Sequence, residues 1–295
     1  MTGELVISHG ADGWAFDLPK PPPLGRLLAG KTPAEAADLL ARLFNLCGAS
    51  QGMAARLSAG LQVSPDAMTA LARDVLRDHL LALFVTLPRD CGLPPTPLPA
   101  DWQATGDLSH ALWGGPRPAV LDDWLHSGAG RAPLARALRA RFPGRTAAAP
   151  PLPFACAANM DDDAETVENS PAMRHANDPL LQQADAAQGR GPLWRLLGRI
   201  CDAEDAARGA LPAPVQRADG MALVPAARGV YALRLHVQAG RVSALARRTP
   251  TDHMLAQGGT LCRALDGVHD PALARLVVAV HDPCLPTRIA EPAHA

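Results

Sequence analysis

With 28 lysines and arginines against 29 aspartates and glutamates, the 295-residue chain carries a formal charge of -1, so it has no basic field to draw nucleic acid or an anionic membrane. Its 48% hydrophobic content is enough for a sizeable buried core, and no run of about 18 uncharged apolar residues marks a membrane insertion. These bounds leave a soluble globular protein whose partners are other proteins or small ligands.

The start, Met1-Thr2-Gly3-Glu4-Leu5-Val6-Ile7, lacks the basic region and long apolar run of a signal peptide, which implies a cytoplasmic protein. The six cysteines, at 47, 91, 156, 201, 262 and 284, include no CxxC pair and none of the close spacing of a disulfide scaffold. Reduced thiols are expected. Residues 1–31 carry one short apolar run, Leu5 to Ile7, and then Lys20-Pro21-Pro22-Pro23, which reads as an extended lead-in.

A helix begins at Thr32-Pro33-Ala34-Glu35, where a Thr N-cap, Pro at N1 and Glu at N3 agree. Ala36, Leu39, Leu40, Leu43 and Phe44 recur at helical spacing, so this helix delivers Cys47 at a helix-to-loop junction. Taken by itself, that cysteine reads as a small buried hydrophobe. A second helix begins at Ser64-Pro65-Asp66, its apolar stripe running from Met68 through Leu83 and Phe84 toward Pro88. His79, at the stripe's edge, reads as a hydrogen-bonded structural histidine.

Seven prolines and four glycines between 88 and 118 predict loops and short turns. Helical patterns resume at about 119–127 and 132–142. From Gly144 to about Glu165 the composition shifts to Ala, Pro and an acidic run, Asp161-Asp162-Asp163, which reads as a flexible loop or linker within one domain spanning 1–295. Three adjacent carboxylates on a loop read as a solvated face rather than a metal site.

A helix follows at Leu193 to Ala206, with Trp194, Leu197, Ile200 and Cys201 on its inner face. Val230 to Val237 and Arg241 to Arg247 flank Gln238-Ala239-Gly240 and predict an antiparallel hairpin. Thr249-Pro250-Thr251-Asp252 ends it and caps a helix through about Leu265. Pro271 to Leu276 reads as a helical turn and Val277 to Val280 as a short buried strand entering His281-Asp282-Pro283-Cys284. The fold class is α+β, mainly α, with a small antiparallel β hairpin.

At these residues the chain resembles a known family. Asp282-Pro283-Cys284 resembles the Asp-Pro-Cys-x-x-Cys-x-x-His terminus of nickel-iron hydrogenase large subunits, and Arg42 to Gln51 resembles their Arg-x-Cys-Gly-x-Cys-x-x-x-His motif. In the same order, Gly30 to Ala36 resembles the segment before that first motif, Glu168 to Arg174 resembles Glu-Thr-x-x-x-Ala-Arg, Pro225 to Gly229 resembles the Ala-Pro-Arg-Gly turn, and Pro250-Thr251 falls at the family's Pro-Thr. The resemblance covers most of residues 20–290 and implies a large-subunit-like helical core.

The departures from the motifs are as telling as the matches. In the enzymes four thiolates hold nickel, two of them bridging to an iron that carries cyanide and carbon monoxide; soft sulfur suits such metals. Here Phe44 and Thr287 stand at two of the four positions, and Gln51 and Ala290 replace the two motif histidines. The resemblance therefore points to the degenerate, accessory relatives of large subunits, the hydrogenase expression/formation (HupK) family, and implies no catalysis. It implies that Cys47 and Cys284 are metal ligands that transiently hold an iron-dicyanide-carbonyl fragment, with Arg228 donating hydrogen bonds to cyanide and no place for nickel. The implied partners are the hydrogenase large subunit and small maturation chaperones.

Three other readings stay open from the residues. A helical protein with packing cysteines, a non-metal chaperone or docking module for the immature large subunit, and an enzyme would each fit the composition. Loss of half the ligand positions argues against a hydrogenase, and the lack of CxxC argues against a dithiol redox catalyst.

Overall fold

A computed structural model of the protein describes residues 3–10, 13–44, 46–104, 106–160 and 166–290. The chain opens with strands β1 (Leu5–Gly10) and β2 (Gly13–Asp17), then a short helix α1 (Leu24–Leu28). Lys20-Pro21-Pro22-Pro23 is non-helical, as expected, while the residues before it form a hairpin that the sequence did not announce. Its first strand pairs in parallel with β7 (Thr287–Ile289), Leu5 opposite Thr287 and Ile7 opposite Ile289, so the two ends of the chain share one three-stranded sheet.

Helix α2 (Pro33–Leu43) starts as its sequence predicts. The Thr32 hydroxyl accepts from the Glu35 backbone N–H while the Glu35 carboxylate accepts from the Thr32 N–H at 2.8 Å. It ends at Phe44, and Cys47 begins α3 (Gly48–Ser58), a helix that the small-residue run Gly48-Ala49-Ser50-Gln51-Gly52 conceals in the sequence. Gly48 is required by the turn between them, since a Cβ there would lie 2.5 Å from the Ala41 carbonyl oxygen.

Helix α4 (Ala67–Leu81) carries the expected stripe inward through Leu71, Val75, Leu76 and Leu80. It runs through a π turn, Ala82–Thr86, into α5 (Leu87–Asp90). His79 is not at the edge of the stripe but fully buried. Short helices α6 (Ser109–Trp113), α7 (Leu121–Ser127) and α8 (Ala132–Arg141) follow the proline-rich segment.

In the Ala- and Pro-rich stretch after Gly144, described as far as Met160, Ala149 bridges to Arg190 and Phe154 to Glu168, and Ala147, Ala149 and Met160 are buried. Asp161, Asp162 and Asp163 lie outside the described residues. Then come α9 (Pro171–Arg174), α10 (Pro179–Gln188) and α11 (Pro192–Ala207). Fourteen of the sixteen residues of α11 are buried, more than the single inner face expected, because α4, α6, α8, α9, α10 and a later helix surround it.

The second sheet runs in the order β3 (Val215–Gln216), β4 (Ala222–Ala226), β5 (Gly229–Gln238), β6 (Arg241–Arg248), all antiparallel. The expected hairpin is β5–β6, and β4 extends it with five buried residues. Thr249 and Asp252 form a second capping box, but the helix they open, α12 (Pro250–Leu255), breaks at Gly258-Gly259 before α13 (Thr260–Leu265).

The expected strand at Val277 to Val280 is a helix. Asp270 caps Ala272 and Pro271 sits at N1, so α14 (Pro271–His281) absorbs the Val-Val-Ala-Val run as one buried face. A four-residue apolar run fits either structure by periodicity, and the N-terminal cap decides it. The protein is mixed and mainly helical, with small sheets. Among the described residues no helix is long and apolar enough to cross a membrane.

Candidate thiolate and arginine site

Two left-handed residues shape the site. Cys47, at φ 59°, turns the chain between α2 and α3; Asp282, at φ 55°, ends α14. An L residue is strained there, and Asp tolerates it better than Cys. These turns, 235 residues apart in number (282 less 47), bring Cys47 and Cys284 near enough for each thiol to shift the acidity of the other. Cys47 is buried. Cys284 is exposed, and its backbone N–H donates to the Thr251 hydroxyl at 3.0 Å.

Their interaction pushes the two thiols apart in acidity. It raises Cys47, with burial adding to the effect, and brings Cys284 down to about 7, helped by the Arg228 guanidinium and the Thr251 hydroxyl. Alkylation of Cys284 by iodoacetamide is therefore expected to show a midpoint near pH 7. Cys47→Ala removes the donor and moves that midpoint up toward the ordinary thiol range; an unmoved midpoint would show that the contact does not tune Cys284.

Arg228 lies on the tight β4–β5 turn and is 6% exposed. Its Nε donates to the Asp282 carbonyl oxygen at 2.7 Å, one terminal nitrogen to Asp78 Oδ2 at 3.2 Å, and the other reaches Asp282 Oδ2 at 3.0 Å. Arg199 also reaches Asp282 Oδ2, at 3.1 Å. The guanidinium is thus a permanent buried charge fixed beside both sulfurs.

The turn is anchored from beneath. Arg174 donates to the carbonyls of Gly229 at 2.8 Å and Ala226 at 3.1 Å, and grips Asp202 with two bonds of 2.7 and 2.6 Å. Asp202 also meets His79 at 2.7 Å and His175 at 3.1 Å. Gly229 has φ 140°, and a Cβ there would lie 2.2 Å from Asn169 Oδ1, which accepts from the Val230 N–H. A second buried pair, Arg195 on Glu168 at 3.1 and 2.7 Å, holds the segment leading to Arg174.

The structure brings together all three residues singled out from the sequence. What that reading missed is their surroundings: Asp78, Arg199 and Asp202, each a charge within a helical apolar pattern, and the Asp282 carboxylate. The only local signal was charge placed where a buried face should be apolar.

The four positions that depart from the large-subunit motifs have structural occupations. Phe44 lies under the Arg247 guanidinium at 5.7 Å, Gln51 accepts from the Tyr231 hydroxyl at 3.2 Å, the Thr287 hydroxyl donates to the Leu285 carbonyl, and Ala290 N–H donates to Ile7. Among the described residues, no group of three or more His, Cys, Asp or Glu is arranged to hold a metal ion. Cys91 and Cys201 are buried, Cys262 contacts the Ala256 carbonyl, and Cys156 is exposed on its loop.

No family model matches the sequence. The fold is that of chains in [NiFeSe] and [NiFe] hydrogenase structures. It superposes on the [NiFeSe] hydrogenase of Desulfovibrio vulgaris Hildenborough in the as-isolated oxidised state with a TM-score of 0.57, at 12% identity, over 92% of this chain and 93% of that one. An NAD+-reducing [NiFe]-hydrogenase in the H2-reduced state gives 0.57 at 17% identity over 92% of both chains, and the Desulfomicrobium baculatum [NiFeSe] enzyme gives 0.56 at 11% over 92% and 93%.

The sequence itself is 49% identical over 286 residues to the hydrogenase expression/formation protein HupK of Rhodobacter capsulatus, covering 94% of this chain and 92% of the relative. The chain belongs to the HupK family.

Proposed function

We propose that this protein is an accessory scaffold in nickel-iron hydrogenase maturation, with the iron-dicyanide-carbonyl fragment as cargo held transiently by Cys47 and Cys284. The observation that carries the reading is the nearness of two thiols from opposite ends of the chain, set against a buried arginine. Two thiolates suit soft iron. Arg228 keeps N–H bonds beyond those given to Asp78 and Asp282, and these would donate to cyanide nitrogens. Inward fixing by two carboxylates keeps the guanidinium in place when cargo leaves.

The donor set supports a partial load rather than a resident metal centre. Phe44 and Thr287 offer no thiolate, so a four-sulfur nickel-iron centre lacks half its ligands here, and the same lack speaks for an accessory role over catalysis. On this reading the single large-subunit-like domain works in the cytoplasm, receives the fragment from small maturation chaperones and passes it to the hydrogenase large subunit.

Infrared spectroscopy of protein purified anaerobically from hydrogenase-producing cells tests this, with iron analysis and a Cys47→Ser, Cys284→Ser double variant alongside. Bands in the metal-bound cyanide and carbonyl region are expected in the wild type and absent in the variant. A wild type without bands, with a variant that still supports maturation, would leave a docking chaperone that imitates the large subunit without carrying metal.

A further inference from the structure

The chain as a whole carries a formal charge of -1, yet from Gly128 to Met160 it holds five arginines and no aspartate, glutamate or lysine. Two of the five, Arg136 and Arg139, line a surface cleft of about 560 Å³ between α7, α8 and the C-terminal end of α10. Three residues apart, they lie on one side of α8. Arg145, in the turn after α8, stands at the margin of the cleft: its Nη1 is 3.3 Å from where a Cβ on Gly189 would lie, and Gln188 and Gly144 both belong to the lining. A place in a helix's last turn accounts for Arg139 and Arg141, since cations suit that end, but not for Arg136 or Arg145.

These charges are open to a ligand. Arg136 and Arg145 are exposed, and among the described residues neither has a carboxylate partner; Arg136 donates to the Leu125 carbonyl at 3.1 Å, and Arg145 makes no hydrogen bond. Arg139 is paired with Asp122, the one carboxylate in the lining, whose side chain is 63% exposed. Between the charges, Ala140, Pro143 and Ala187 give the cleft apolar walls.

We propose that this cleft docks an acidic, extended segment of a protein partner, with carboxylates on Arg136 and Arg145 and an apolar side chain against Ala140, Pro143 and Ala187. A guanidinium offers a carboxylate two parallel N–H donors, so free arginines at a rim select acidic side chains. The apolar walls give a lone phosphate nothing to hold, and a flat anionic membrane would meet the rim without filling the cleft. Asp122 opposes the segment by occupying Arg139. The cleft shares no residue with the thiol and arginine site, so the inference goes beyond the carrier reading and does not rest on it.

The full chain is titrated by fluorescence anisotropy against a fluorescein-labelled peptide of repeated Glu-Gly-Leu-Asp units, and against its twin with glutamine and asparagine for the acids. Saturable binding of the acidic peptide alone is expected, weakening as salt is raised. Arg136→Glu together with Arg145→Glu should weaken it by about tenfold or more. The fold should tolerate this pair of changes, because neither arginine has a carboxylate to lose. Asp122→Asn should act in the opposite direction, tightening binding by about threefold as Arg139 is released, a gain that damaged folding does not produce. No saturation with the wild type, equal binding of the neutral twin, or a double variant as tight as the wild type would overturn the proposal. Displacement of the peptide by an equal concentration of inorganic phosphate would overturn it in favour of a small-anion site. Tighter binding to phosphatidylserine vesicles than to the peptide, lost in the same double variant, would overturn it in favour of a membrane.

Discussion

Asp202→Asn is expected to destabilise the protein by about 3–5 kcal/mol, the cost of removing one partner from a buried ion pair. Asn keeps the shape of Asp202 but not its charge. Arg174, whose side chain is 7% exposed, would then hold a buried positive charge with only the Ala226 and Gly229 carbonyls facing it. His79 and His175 would lose their carboxylate as well. Among the described residues this carboxylate is bound by three side chains from two other helices and their flank, which is why burial, though it disfavours the charge, is outweighed and Asp202 is held well below the usual carboxylate range.

The effect should reach the site. Arg174 fastens the turn that carries Arg228, and Arg228 helps to keep the Cys284 pKa low. Urea unfolding measures the stability change, and the pH midpoint of Cys284 alkylation measures the displacement of the turn. A loss under about 1 kcal/mol with the midpoint unchanged would show that the carbonyl contacts alone hold the turn. Glu168→Gln, which breaks the other buried pair, is the control: it should cost stability without a matching change at Cys284.

The parts legible in sequence are those whose signals are local. Thr32 to Glu35 holds a complete capping box within four residues, and the β5–β6 hairpin places alternating strands around a Gly turn. Val277 to Val280 misled because a short apolar run has no period of its own, and Asp270-Pro271 lay outside it. β1 was not legible as a sheet strand because one of its two partner strands, Thr287–Ile289, comes from near the other end of the chain.

The site divides the same way. Cys47, Cys284 and Arg228 were picked out by likeness to motifs, since neither spacing nor composition joins residues so distant. The charges beneath them, Asp78, Asp202 and Arg199, occupy α4 and α11 where pattern leads one to expect apolar contacts. Each is tolerable only because a specific partner arrives from elsewhere in the fold, and that partner is invisible in a single stretch of sequence.

Three buried histidines are expected to make the fold acid-labile. His79, His253 and His281 are each at most 5% exposed, and burial lowers all three, His253 to about 4. Their surroundings explain the direction. His253 Nδ1 accepts from the Asn169 amide, and His281 Nδ1 donates to the Val277 carbonyl, while among the described residues no hydrogen bond is made to His253 Nε2 or His281 Nε2. A proton added to either ring would sit in the core, and at His281 it would meet the charges of Arg195 and Arg199.

In the unfolded chain each imidazole titrates near its ordinary value of about 6.5. Below that pH the unfolded state binds more protons than the folded one, so stability is intact above about 6.5 and is lost as pH falls toward the lowered folded values. Each ring that stays neutral in the fold while its unfolded counterpart is protonated adds up to about 1.4 kcal/mol per pH unit to the slope. Urea midpoints at pH 7.5, 6 and 5 should therefore drop steeply over the last interval, well before the carboxylates protonate. His253→Gln should flatten the slope, because glutamine has no proton to take up. A wild-type midpoint that stays level from pH 7 to 5 would mean that these rings reach water, and the buried polar frame beneath Arg228 would then be looser than the hydrogen bonds around it imply.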